Sequence, residues 1–397
     1  MTREKEKNIT KWFNRAFIVL SALIFLAGLI RTICFPKEMN QAENRYANQI
    51  AEPTLSLYLD GSFQKSVSDA LNDQVQLASL AKKWYNRASI ELADPLIRAL
   101  SVRENAYVGF RGGWFYENRI LYAPYDMSWV TGLLEQRIAQ HNAMFRAHPE
   151  LSFYVYYIEK DTDIDFVTGE KIGVYDRLAA QLALPKDHIA RFAVDDFDTF
   201  EKYFYKTDHH WNYLGSYRGY TEALSLVSED APLAPAEEVH TPYCFSGSKA
   251  TAVGAGGVYS DPISVYRFDY PEMSMTCDGG KEIVDYGSVG MLLSGTLVNP
   301  DYGAIYGWDG GELVFDTNRS EGENLLVIGE SFDNAILKLL ASHFHQTYSI
   351  DLRYYRASLG KDFDFAAYVS EHNIDKVLLI GNIDFFYSSD FAIGGID

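Results

Sequence analysis

Two short segments of the chain hold the residue types that acyl transfer needs. The first is Gly329-Glu330-Ser331-Phe332, which follows the apolar run LLVI and precedes a helical pattern at about 333–343. A serine at a strand-to-helix turn projects above the C-terminal edge of a sheet. The N–H groups at a helix start can stabilise an oxyanion there, and Gly329 relieves crowding in so sharp a turn. The same serine could instead cap the helix through its hydroxyl. The second segment is Thr207-Asp208-His209-His210-Trp211. In extended chain, residues i and i+2 share a face, so Asp208 and His210 converge while His209 points elsewhere. A carboxylate beside a histidine fixes its tautomer and stabilises the imidazolium formed when the ring takes a proton. A metal site or a polar helix cap would use the same residues, although a metal would want further ligands. Ser331 as nucleophile, His210 as base and Asp208 as orienting carboxylate make the three parts of an acyl-transfer site. The order Asp, His, Ser is no obstacle, because geometry and not chain order defines a triad.

Such residues need a rigid frame. The runs at 153–158 (FYVYYI), 325–328 (LLVI) and 376–380 (KVLLI) read as buried strands, and 349–353 as another. Helical patterns lie at about 126–147, 175–184, 212–227, 333–343 and 364–371. This alternation implies an α/β domain with a mainly parallel sheet covered on both faces. Residues 107–116 (YVGFRGGWFY) read as strand–turn–strand about Gly112-Gly113. From about 235 to 320 Gly, Ser, Thr and Tyr dominate, which reads as a β-rich insertion. Upstream, 40–85 is polar and mostly helical, with Phe63, Val67, Ala70, Leu71 and Val75 at helical spacing.

The N-terminus is basic, with Arg3, Lys5, Lys7, Lys11 and Arg15 against Glu4 and Glu6, and an uncharged run, AFIVLSALIFLAGLI, follows. The basic flank predicts a cytoplasmic N-terminus. With no small-x-small cleavage site behind the run, it reads as a retained single-pass signal anchor. The expected division is 1–37 for the tail and anchor (ending on Lys37), 38–103 for a membrane-proximal helical segment, and 104–397 for an extracytoplasmic catalytic domain. The chain carries a net charge of −19 over 397 residues, and its basic residues are concentrated before 38. So acidic a body argues against a nucleic-acid partner. An apolar content of 47% against 22% charged excludes wholesale disorder. Cys244 and Cys277 could pair or stay free; Cys34 lies at the anchor edge. No zinc-type Cys/His spacing and no glycine-rich phosphate loop is found, so no metal or cofactor is expected.

TDHHWNYLGSY resembles the signature of the bacterial DHHW proteins. It is also similar to the Asp-x-His-Trp segment of the alginate O-acetyltransferases, which are SGNH-hydrolase-like. GESF resembles their serine motif, with Glu330 where Asp or Thr is commoner, and IDLRYY resembles their Asp-x-Arg-Tyr segment. ENRYANQIAEPTLSLYLDGSF and VGFRGGWFY look like the upstream segments of that family. The resemblance covers most of 42–390. It implies an SGNH-hydrolase-like three-layer α/β/α domain in which Ser331, assisted by His210 and Asp208, passes an acetyl group to a sugar hydroxyl of an exported polysaccharide or wall polymer. A separate multispan membrane protein would deliver the acyl group. Asn382 stands where such an enzyme could place an oxyanion donor, or simply ends a strand. Arg353 could bind an acidic or acyl group, or pair with Asp351. Tyr302, Tyr306 and Trp308 could stack on sugar rings or pack a lobe core. An esterase with the same triad, and a non-catalytic glycan-binding protein, are the competing readings.

Overall fold

The run LLVI is the strand Leu325–Ile328, in the middle of an eight-stranded sheet. The computed structural model describes residues 3–35, 39–40, 45–74, 76–287, 289–297, 300–319 and 321–396; Lys37 and Val75 lie outside them. Sheet order is Lys281–Glu282, Ser274–Cys277, Glu312–Asp316, Gln346–Ile350, Leu325–Ile328, Lys376–Gly381, Ser152–Ile158, Ile189–Phe192. The five strands from Gln346–Ile350 to Ile189–Phe192 run parallel, and the other three are antiparallel.

Alternation along each central strand decides which layer each side chain joins. Leu325, Val327, Leu378, Ile380, Tyr156 and Ile158 face one core, shared with Tyr220, Ala223 and Leu224 of the helix Tyr213–Val227. Leu326, Ile328, Val377, Leu379, Val155 and Tyr157 face the other, shared with Val130, Leu134 and Ile138 of Met127–Ala147 and with Phe365 and Val369 of Phe365–Glu371. Burying each such side chain contributes about 1.5–3 kcal/mol. The result is the expected α/β/α sandwich. Its helices start where the sequence supplies caps: Asp126, Asn212 and Asp364 each accept main-chain N–H groups of the first turn.

Several elements depart from the sequence reading. The first hairpin turns at Arg111 and Gly112, both with positive φ, and Gly113 already begins the next strand. Positive φ at both central residues is what a tight two-residue hairpin requires. Residues 349–353 are not one strand: Gln346–Ile350 ends as Asp351 caps the helix Leu352–Leu359. Within the region 235–320, Ser274–Cys277, Lys281–Glu282 and Glu312–Asp316 extend the main sheet, and Glu237–Phe245 with Asp261–Arg267 form a hairpin of their own. Cys244 is exposed, Cys277 is buried, and both are free thiols.

The chain divides into two compact units, 98–249 with 259–397, which holds this sandwich, and 1–97 with 250–258. The latter contains helix Arg3–Cys34, whose stretch Lys11–Gly28 is long and apolar enough to cross a membrane and is unburied. It also contains Leu55–Leu59 and Ser62–Gln74, tied to the preceding chain by Asn48 N–H to Asp73 (2.8 Å) and Ala51 N–H to Ser66 (3.1 Å).

Candidate active site

Asp208, His210 and Ser331 meet at the C-terminal edge of the parallel strands. His210 Nδ1 lies 2.6 Å from Asp208 Oδ1, and His210 Nε2 lies 2.7 Å from Ser331 Oγ. Their convergence does not come from extended chain. Residues 205–210 form a bent loop closed by a bridge between Phe204 and Trp211, with Tyr205 N–H donating to the His210 carbonyl at 3.1 Å. Within the bend, Asp208 Oδ1 also accepts the His210 main-chain N–H (3.1 Å). His209 does not point elsewhere: its ring centroid is 3.8 Å from that of His210, and its Nδ1 is 2.7 Å from Ser248 Oγ.

One carboxylate holds this loop. Asp261 accepts the N–H groups of Lys206 and Thr207, each at 2.7 Å, and the Thr207 hydroxyl. Gly247 N–H donates to Thr207 Oγ1 (3.0 Å) and Ser248 N–H to Asp208 Oδ2 (2.8 Å). A Cβ at Gly247 would stand 2.3 Å from the Asp208 Cβ, so only glycine fits. Trp211 is fully buried, and a Cβ at Gly219 would stand 2.5 Å from its ring. Its Nε1–H donates to the Tyr302 hydroxyl (3.2 Å), while the Tyr302 ring stacks on His210 at 3.8 Å and 1°. Tyr302 is therefore buried behind the imidazole, and Tyr306 bonds Tyr205 (3.2 Å); of the aromatics at 302–308, Trp308 is the exposed one.

The serine turn differs from a helix start. Ser331 precedes a three-residue 3-10 turn, Asp333–Ala335, and a five-residue helix, Leu337–Ala341. So short a helix supplies no useful dipole. What the turn does supply is main-chain N–H: no described acceptor takes that of Ser331. Gly329 is required by packing, since a Cβ there would lie 2.0 Å from Asp333 Oδ2. Glu330 is buried, and its Oε1 accepts the Asn382 N–H (2.8 Å). Asn382 Oδ1 caps the helix Ile383–Tyr387 by accepting Asp384 N–H (2.8 Å), and no described acceptor takes its Nδ2. Arg353 is held by Asp351 (2.5 Å) and Asp309 (3.3 Å), so its charge is already balanced.

The charges follow from this packing. Burial presses the Asp208 carboxyl upward, but His210, His209 and the Ser248 N–H outweigh it and hold it well below the usual carboxylate range. Burial, then the field of His210, holds His209 well below an ordinary histidine. Burial raises the Glu330 and Asp333 carboxyls. Ligating atoms of Asp208, His209 and His210 all lie within 4.8 Å of one another, which is the arrangement a metal could use. Ligands on a zinc ion at about 2.0 Å sit about 3.3 Å apart, however, and the 2.6 Å between His210 and Asp208 is a hydrogen bond.

The sequence reading named Tyr302 for stacking or packing but not as the ring behind His210, and it missed Asp261, Ser248 and a buried polar run, Glu159 to Asp163, directly after the strand Ser152–Ile158. The last had a signal, since a charged run at the carboxyl end of a buried parallel strand marks the edge where such sheets place their sites.

A three-layer α/β/α fold with Ser331, His210 and Asp208 gathered at the C-terminal edge of its parallel strands is the class these features define. The profile of the DHHW protein family matches residues 191–350, which include both Thr207–Trp211 and Ser331, so the resemblance read from TDHHWNYLGSY holds. Bacillus cereus PatB1, solved with a sulfonyl adduct, is similar at 17% identity over 71% of this chain and 97% of that one, with a TM-score of 0.53. A DHHW family protein from Eubacterium siraeum is similar at 15% identity over 73% and 96%, with a TM-score of 0.51. At these identities the likeness is one of fold. The O-acetyltransferase domain of Pseudomonas putida AlgJ fits loosely, at 10% identity, 67% and 87% coverage and a TM-score of 0.36. No curated protein matches the chain.

Proposed function

We propose that the chain is a membrane-anchored serine O-acyltransferase that esterifies hydroxyls of an exported polysaccharide or wall polymer. In this reading Ser331 Oγ attacks an acyl carbonyl carbon and its proton passes to His210 Nε2. The leaving group departs with that proton, and acyl-Ser331 remains. A sugar hydroxyl then attacks the ester, gives its proton to His210 and takes the acyl group, and Ser331 recovers its proton. Asp208 keeps Nδ1 protonated and balances the imidazolium. The Ser331 N–H and Asn382 Nδ2 are the candidate oxyanion donors. The observation that carries the proposal is the continuous relay of 2.6 Å and 2.7 Å from Asp208 through His210 to Ser331. The acetyl group, and the separate membrane protein that delivers it, come from the resemblance alone. The anchor reading puts the catalytic unit outside the cell, where such a polymer is made accessible.

The test is to treat the full chain in detergent with a serine-reactive fluorophosphonate and map the label. Label on Ser331, lost in Ser331→Ala and slowed about 10⁴-fold in Asp208→Asn, is the expected result. Label unaffected by either substitution would sink the reading. Acyl-enzyme formed from an activated acetyl ester, then offered oligosaccharide, distinguishes transfer from hydrolysis by whether acetyl appears on sugar or as acetate.

A further inference from the structure

The structure assigns an acceptor subsite to the strip Tyr122 to Trp129, and its chemistry fits a neutral hexose or hexosamine chain. This rests on the acyl-transfer reading of Ser331 and names the substrate class for that same site. Trp129, in the first turn of Met127–Ala147, leaves 51% of its surface exposed. Two phenols frame it edge-on: Tyr125 at 5.9 Å and Tyr387 at 5.4 Å between centroids, themselves 5.7 Å apart. The rim is polar. Tyr125 OH donates to Asp384 Oδ1 (2.5 Å), and Asp384 Oδ2 pairs with buried Lys160 (3.5 Å). A ring face bordered by hydroxyl and carboxylate suits a pyranose, whose C–H face is apolar and whose rim is hydroxyl.

Position gives this cluster its meaning. The strip is fastened along the C-terminal edge of the strand Ser152–Ile158 by Tyr122 N–H to Asp161 (2.8 Å) and Tyr125 N–H to the Thr162 carbonyl (3.1 Å). Asp161 is itself fixed by the buried ammonium of Lys249 (2.5 Å), whose Nζ lies 5.2 Å from the Tyr122 ring. Lys249 directly follows Ser248, the residue bonded to Asp208 and His209. At the other end, Asp384 adjoins Asn382 and Ile383, and the Asn382 N–H ends on Glu330, the neighbour of Ser331. Contacts thus run from one end of the strip through Asp161 to Lys249, the neighbour of Ser248, and from the other through Asp384 to Asn382. The buried run Glu159 to Asp163 is what holds it there. Charge selects among sugars: Asp126 is exposed three residues before Trp129 with no cation paired to it among the described residues, in a chain of net charge −19, so a polyuronate is repelled.

Isothermal titration of full-length Ser331→Ala in detergent, with cellohexaose, chitohexaose and an oligouronate of equal length, reads the strip apart from the chemistry. We expect a neutral hexasaccharide to bind, Trp129→Ala to weaken it at least tenfold, Trp129→Phe to keep most of the affinity, and the oligouronate to bind at least tenfold more weakly. Absence of binding by either neutral chain, equal affinity in Trp129→Ala, or equal binding of the oligouronate would overturn the assignment. Fluorophosphonate labelling of the wild-type chain reads Ser331 separately. Sugar binding without label would remove the serine reading and leave the subsite, whereas label without sugar binding would do the reverse.

Discussion

Asp208 is fixed on both sides, by His210 at one oxygen and by the Ser248 N–H at the other. Gly247 is what lets Ser248 come so close, and a methyl group there would lie 2.5 Å from Asp208 Oδ2. Gly247→Ala therefore displaces the carboxylate. We expect the rate of fluorophosphonate labelling at Ser331 to fall about 10²-fold, the scale of a misplacement near 1 Å, with Ser331 itself intact; an unchanged rate would show that Asp208 tolerates the shift. At this scale the sequence was legible for Asp208, His210 and Ser331, because each sits in a short motif whose residue types already imply a proton relay. Asp261 was not legible, nor was the place of Tyr302 behind the imidazole. A tyrosine behind an imidazole and a carboxylate under a loop arrive from 92 and from 54 to 55 positions away, and nothing local marks those roles.

The elements add a liability as well as a frame. His141, in Met127–Ala147, is buried between Phe145 and Phe386, and neither ring nitrogen has a described partner. Burial, then Arg137, lowers it from 6.5 to about 3. Between those values the unfolded chain binds a proton that the folded chain refuses, so stability is lost as pH falls from about 6.5 towards 3. His141→Leu should raise the melting temperature at neutral pH, by relieving an unpaired polar group worth about 1–3 kcal/mol, and raise it further at pH 5. A gain that does not grow on acidification would contradict this. Element by element, strands were read well where apolar runs are continuous, as in LLVI and KVLLI. The helix expected at about 333–343 breaks because Asp333 and Asn334 turn inward: Asn334 bonds Tyr286 and Asp309, each at 2.7 Å, and so interrupts regular winding.

Across the whole molecule, net stability at neutral pH carries the cost of acids kept inside. Asp163, buried and accepting from Tyr157 and the Lys160 N–H, is raised by burial from 3.8 to about 7. The sign is that of a raised acid: the folded chain holds a proton that the unfolded chain has released, so stability falls as pH rises from about 3.8 to 7 and then levels off. Asp163→Asn keeps an acceptor without the charge. Its melting temperature should exceed that of the wild type at pH 8, with the difference shrinking at pH 5; a difference independent of pH would place the titration elsewhere.

His210 and Ser331 lie 121 positions apart, and the strands that carry the serine turn are parallel, with connections that must close before pairing rewards them. A contact of such sequence separation, between loops on a parallel sheet, is expected to close late in folding. On the proposed reading, a nascent or partly folded molecule would hold a serine no more reactive than any other and would not take up acyl groups before the relay closes. In a refolding experiment, fluorophosphonate labelling of Ser331 should appear only with the slowest folding phase, after the bulk of the helical signal has returned. Labelling that rises with the early phase would mean that the relay assembles before the sheet.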